Sequence, residues 1–198
     1  MKFQPLTLEG QHVRLEPLTI GHEGRLCEVA FDPELWRWTS SALMSPQDVR
    51  AYIQTALKGA EEGSIVAFAT IDPASGRVIG STRFAHIEAQ HRKVEIGWTW
   101  IARPWQRTPI NTEAKYLMLR HAFESWGCIR VQLWTNALNA KSRAAIERIG
   151  AKYEGCLRNH MIMPTGTIRD TVSYSIIESE WPEVKRELEQ KLDARSNR

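Results

Sequence analysis

The residues with the clearest chemical promise lie between Val94 and Trp126. A strand-like run, VEIGWTWI at 94–101, carries one carboxylate, Glu95, among apolar neighbours. Burial there would raise its pKa toward neutrality, which suits a general base. The same glutamate could instead form a structural ion pair, for instance with Arg83 on the preceding strand. After the strand come a short polar loop, ARPWQRTP at 102–109, and a helix ending at Trp126. A strand that feeds a helix start through a tight loop can hold an anionic phosphate. The first helical N–H groups lack partners in the helix, and the dipole is positive at that end. The loop therefore reads as the diphosphate site of a nucleotide-bearing cofactor. The structural alternative is a plain helix start, with Thr108 as cap and Pro109 in the first position.

Other elements must hold these groups. Val13 to Leu18 alternates like a strand, and Thr19 can cap a helix to about Ala30. An aromatic-rich loop, 31–44, leads to Ser45-Pro46-Gln47-Asp48, a helix start by residue type. Val49, Tyr52, Ile53, Ala56 and Leu57 follow at helical spacing. Residues 65–84 read as a hairpin turning at 72–76, and a polar segment, 87–93, leads to the strand at 94. The central helix spans about Asn111 to Trp126, closed by Gly127. A strand at 129–135 follows. Asn139 caps a helix to Ile149, strands cover 153–163 and 168–177, and a charged helix covers about 182–195. This order predicts an α+β fold with a mixed, mostly antiparallel sheet, in which the strands at 94 and 129 are parallel. No linker or repeat divides the chain, so residues 1–198 read as one domain, core about 13–181.

Composition narrows the function. A net charge of +3 is too mild for a nucleic-acid binder, and no stretch approaches the ~20 apolar residues of a membrane span. The start, MKFQPLTLEG, lacks the apolar core of a signal peptide. Cys27, Cys128 and Cys156 are odd in number and far apart, which argues against disulfides or a zinc knuckle and fits a reducing cytoplasm. No metal is expected. The absence of a GxxxxGK[ST] loop disfavours a nucleotide phosphotransferase.

The order of elements, the loop PWQRTPINTEAK (104–115) and the block NAKSRAAIERIGAKYEG (139–155) together resemble the GNAT superfamily of acetyl-CoA-dependent N-acetyltransferases. Within it the chain is most similar to the branch containing the ribosomal-protein N-terminal acetyltransferases. The resemblance covers about Val13 to Trp181. It implies a central pair of parallel strands that splay apart, with coenzyme A entering the gap. It implies pantetheine contacts at the main chain of Trp100, Ile101 and Ala102, and at Asn139, which can also be a simple helix cap. The family's diphosphate loop, Gln/Arg-x-x-Gly-x-Gly/Ala, falls on Gln106, Arg107, Thr108, Pro109, Ile110 and Asn111. Proline and asparagine replace the two small residues, removing one backbone donor. The side chains of Asn111 and Thr112 could substitute, and Arg107 adds a cation.

Acetyl transfer needs an amine that loses a proton and a leaving thiolate that is stabilised. Glu95 is the candidate base, directly or through water. The tyrosine many members use toward sulfur falls on Ile146, which cannot serve. Ser142, at a position where the ribosomal-protein branch has a serine, is the substitute, unless it only satisfies the first helical turn. That branch's further glutamate falls on Met161, beside His160, a second-rank base. By resemblance Trp36 and Trp38 line the acceptor cleft, and Arg83 could orient a polar acceptor. A weak base suits an α-amine, roughly a tenth neutral at pH 7, better than a lysine. The acceptor is therefore a small-molecule amine or a protein N-terminus. The alternative is a CoA-binding module without turnover, and the eight tryptophans leave room for a homodimer.

Overall fold

Ser45 begins the first long helix as its residue type requires. In the computed structural model, which describes residues 3–196 and side chains through 194, its hydroxyl accepts the Asp48 N–H at 3.2 Å and α2 runs Pro46–Glu61. A short α1, Glu23–Ala30, precedes it after a 3-10 turn over Ile20–His22. The strands are β1 (Leu8–Glu9), β2 (Arg14–Pro17), β3 (Val66–Asp72), β4 (Arg77–Glu88), β5 (Lys93–Ile101), β6 (Arg130–Asn136), β7 (Lys152–Ile162) and β8 (Ile168–Ile177). They form one sheet in the order β1-β2-β3-β4-β5-β6-β8-β7. Every pair is antiparallel except β5 with β6. The mixed α+β sheet with a parallel centre is thus present.

The remaining helices are α3 (Ile110–Arg120), α4 (Ala140–Arg148) and α5 (Trp181–Ser196). On one face of the sheet α1 and α2 pack over Ala67, Ala69, Val78 and Trp100. On the other, α3 and α5 pack against each other and over Phe68, Ile79, Phe84 and Ile96. β3 and most of β4 are buried on both faces, so their residues show little polar alternation.

Two boundaries differ from expectation. The segment 87–93 is mostly strand and tight turn, because β4 continues to Glu88 before turning over Ala89–His91. The central helix is α-helical only to Arg120. A wider π turn covers His121–Ser125, with the Trp126 N–H reaching the His121 carbonyl at 3.0 Å. Gly127 then ends it at φ 61°. The three cysteines are unpaired. Among the described residues no helix is long and apolar enough to cross a membrane.

Candidate functional site

β5 and β6 share three rungs, Lys93↔Arg130, Val94↔Val131 and Glu95↔Gln132. Beyond Glu95 the strands part, although β5 continues to Ile101 and β6 to Asn136. The cause is local. Register between β4 and β5 slips between Ser81 and Arg83, and Trp98 adopts φ 47°. The bulge bends β5 and sharpens its twist, turning its end away from β6. Gly80 permits the close return of β5 to β4, since a Cβ there would lie 2.1 Å from the Trp100 carbonyl oxygen.

Glu95 sits at the vertex of this opening. It is 4% exposed, and its Oε2 has no hydrogen-bond partner. Gly97 makes room for it, because a Cβ would lie 2.7 Å from Oε1. Burial pushes the carboxyl up to about 7, while Gln132 and the charge of Arg169 pull part of the way back. His86 Nε2 lies 3.9 Å from Oε2, and its ring stands between Trp98 and Trp134. No ion pair joins Glu95 to Arg83 among the described residues; the ionisable neighbours of Glu95 are His86 and Arg169 instead.

Arg83 instead lines a cavity on the same face of the sheet. It is 2% exposed, and its guanidinium lies between two rings, 4.5 Å from the Tyr52 centroid and 5.1 Å from that of Trp98. Its Nε and Nη2 have no acceptor. Each unmatched buried donor costs about 1–3 kcal/mol. With Tyr52, Trp98, Ser41, Leu43 and Asp48, Arg83 lines a cavity of about 260 Å³ between α2 and the sheet. Trp36 does not line it. Trp36 is buried, donates its Nε1–H to the Ala30 carbonyl at 2.7 Å, and packs edge-on against Trp100. Trp38 is half-buried under Arg37 and is not among the lining residues.

After β5 the chain makes a 3-10 turn over Arg103–Trp105, then passes through Arg107 at φ 64° into α3. Gln106 fastens this loop by donating Nε2–H to the Ile101 carbonyl at 2.8 Å. Thr108 donates to the Trp105 carbonyl at 2.7 Å and accepts the Ile110 N–H only weakly, at 3.4 Å. Asn111 and Thr112, in the first turn, have no helical acceptor for their main-chain N–H groups. Thr112 itself is buried, and the Asn111 side-chain Oδ1 has no partner. Arg107 is exposed beside them. At the end of β5, Ile101 C=O, Ala102 N–H and Ala102 C=O are already bonded to Gln106, Ile79 and Trp105.

Across the gap, Asn139 caps α4, its Oδ1 accepting the Ser142 N–H at 3.1 Å. Ser142 is half-buried in the first turn, while Ile146 is a core residue. His160 on β7 pairs its Nδ1 with Thr171 Oγ1 at 3.0 Å and stands edge-on to Trp134. Met161 is exposed.

Several neighbours of the site are not evident in the sequence. Arg169 lies 74 positions after Glu95 on β8, where Arg169, Thr171, Ser173 and Ser175 form a polar stripe at strand spacing. That stripe is the available signal. Lys115 reads as an ordinary helix-surface lysine. It is buried beneath β5, Nζ at 2.5 Å from Thr99 Oγ1 and 3.3 Å from Thr82 Oγ1, and burial pulls it down to about 7. It braces the bulge from below. Among the described residues no group of three or more His, Cys, Asp or Glu is placed to hold a metal ion.

Known proteins share this arrangement. The family model for the acetyltransferase (GNAT) domain matches residues 12–152. A Bacillus subtilis protein, YdaF, provisionally named a ribosomal N-acetyltransferase, is 35% identical over 106 residues, which is 54% of this chain and 57% of that protein. The match thus spans little more than half of that relative. A GCN5-related N-acetyltransferase from Brucella melitensis superposes with TM-score 0.90 at 29% identity, covering 97% of this chain and 87% of that one. A provisionally named acetyltransferase from T. thermophilus gives 0.88 at 38% identity, covering 97% and 100%. With its family-model match, its splayed β5 and β6 and the helix start that follows them, the chain belongs to the GNAT acetyltransferase family.

Proposed function

We propose that the protein moves an acetyl group from acetyl-CoA to a primary amine. One observation carries the reading: the parallel ladder stops at a buried Glu95, and the strand it leaves open leads directly into a helix start whose N-cap position makes no side-chain cap. The residues present suit coenzyme A. Arg107 and the free N–H groups of Asn111 and Thr112 suit a diphosphate. The unpaired edge of β5 suits an extended amide-bearing arm. Pro109 removes one donor, and the loop compensates with Arg107 rather than with the Thr112 side chain, which is buried.

Acetyl-CoA supplies an acyl thioester. Glu95 takes a proton from the acceptor ammonium, directly or through water, and His86 beside it leads that proton toward solvent. Ser142, on the far side of the gap, offers its hydroxyl to the leaving sulfur. His160 is held by Thr171 and Trp134, which favours a structural role over that of base. The name of the Bacillus relative and the weakness of a carboxylate base favour an α-amine, at a protein N-terminus or on a small molecule. Thiol release from acetyl-CoA, followed with a panel of primary amines, tests the reading. Acceptor-dependent release is expected, with saturable CoA binding by calorimetry. CoA binding without release on any amine would instead indicate a non-catalytic CoA-binding module.

A homodimer belongs to the same proposal. Leu157, Met161 and Ile162 on edge strand β7, with Ile168 on β8, are exposed. Light scattering is expected to give twice the 22.7 kDa chain mass, and Ile162→Lys to return it to that mass.

A further inference from the structure

We propose that the acceptor carries a carboxylate a few bonds from its amine, and that Arg83 is the residue that selects it. This rests on the acetyl-transfer reading, and it adds the chemical class of the acceptor. The observation is a buried guanidinium with no carboxylate partner, two unmatched N–H donors and one cavity beside it. Buried charges are ordinarily paired, so an unpaired one that lines a cavity calls for a mobile anion. Tyr52 and Trp98 both pack against the guanidinium, and its unmatched Nε and Nη2 donors suit a planar acceptor group.

The other charged group lining the cavity is Asp48. Its Oδ2 accepts from the Met44 N–H at 3.0 Å and the Ser45 hydroxyl at 2.8 Å, and no ion pair joins it to Arg83 among the described residues. Arg83 pairs in register with Gly97, and the adjacent same-face rung is Ala85 with Glu95. The two side chains therefore leave the sheet on one face, roughly 7 Å apart along the strands. A molecule whose amine is at Glu95 can reach Arg83 with a carboxylate close to that amine. Two sources share this chemistry: the α-carboxylate of a free amino acid, and an acidic side chain at the second position of a peptide.

The test compares L-amino acids with their carboxamides, and peptide amides with aspartate or glutamate against asparagine or glutamine at the second position. Initial rates of thiol release and equilibrium tryptophan fluorescence with CoA present are both read. In the wild type the carboxylate member of one pair is expected to have a KM roughly 10- to 100-fold lower than its neutral twin, the range for a charged hydrogen bond. Whichever pair shows it identifies the source. Arg83→Gln should raise KM for the carboxylate by that factor and leave the neutral twin and acetyl-CoA unchanged, and Arg83→Lys should recover part of it. Equal use of both members by the wild type overturns the proposal, as does an Arg83→Gln effect equal on both. If no amine turns over but carboxylates still bind in an Arg83-dependent way, the anion site stands and the acetyl-transfer reading falls. If amines turn over and no carboxylate is preferred, the reverse holds. The wild-type comparison needs no variant, so misfolding of Arg83→Gln cannot hide the answer.

Discussion

Glu95→Gln is expected to lower kcat by about 10²- to 10³-fold at pH 7.5 with acetyl-CoA saturating, within the usual range for loss of a general base. In the wild type kcat should rise with pH and level off above about 7, where burial has placed this carboxyl. The variant should lose that limb. A second measurement checks the raised pKa itself. The folded pKa lies above the ordinary 4.5, so between the two values the native state binds more protons than the unfolded chain. The contribution of this group to stability is therefore complete below pH 4.5, declines as pH rises toward 7, and is lost above that. Glu95→Gln keeps the shape and removes the titration. Relative to the wild type it should gain up to about 3 kcal/mol between about pH 4.5 and about pH 8, measured by urea unfolding. A variant with wild-type kcat and an unchanged pH profile would remove Glu95 from the mechanism.

Glu113 is expected to matter almost as much, for a different reason. Its carboxylate is buried in the first turn of α3 and accepts three main-chain N–H groups, from Gln11, His12 and Val13, at 2.9, 2.6 and 2.8 Å. Gly10 is needed beside it, since a Cβ would fall 2.4 Å from the carboxyl carbon. One side chain thus fastens the segment entering β2 to the helix that starts at the candidate phosphate loop. Glu113→Gln turns an amide N–H toward backbone donors and leaves at least one without an acceptor. Hydrogen bonds to a charged group are worth about 1.5–3 kcal/mol each, but they share one carboxylate, so a total loss of about 3–4 kcal/mol is expected. For a chain of this size that lowers Tm by about 10 °C. kcat measured well below the transition should stay within about threefold of wild type. A Tm within about 2 °C of wild type would show that these three contacts contribute little.

What can be read beforehand is whatever is written locally. The α2 start needs only Ser45 and Pro46, and both long turns after helices announce themselves as Gly127 and Gly150, at φ 61° and 91°. The parallel β5–β6 pair follows from a helical crossover. Registers are hidden. Arg83 looks like a partner for Glu95 because the two strands are adjacent. The bulge at Trp98, one extra residue in β5, is invisible as a pattern, and so is the cavity it places Arg83 against. Trp36 and Trp38 alternate in an aromatic loop that does not say which ring turns inward. Trp98, which faces the cavity, reads in the sequence as one strand residue among others. Lys115 and Arg169 are ordinary letters until burial gives them a role, and burial is a property of the assembled fold.

Three rungs hold β5 to β6, so the sheet is two half-sheets sharing a short seam. Past that seam each half keeps its own internal hydrogen bonding, and the two are joined there by the shared core under α3 and α5 and by whatever lies in the gap. A molecule lodged there touches both sides at once and acts as mortar. Its binding energy therefore adds to the cohesion of the halves, and the empty protein comes apart more readily than the occupied one.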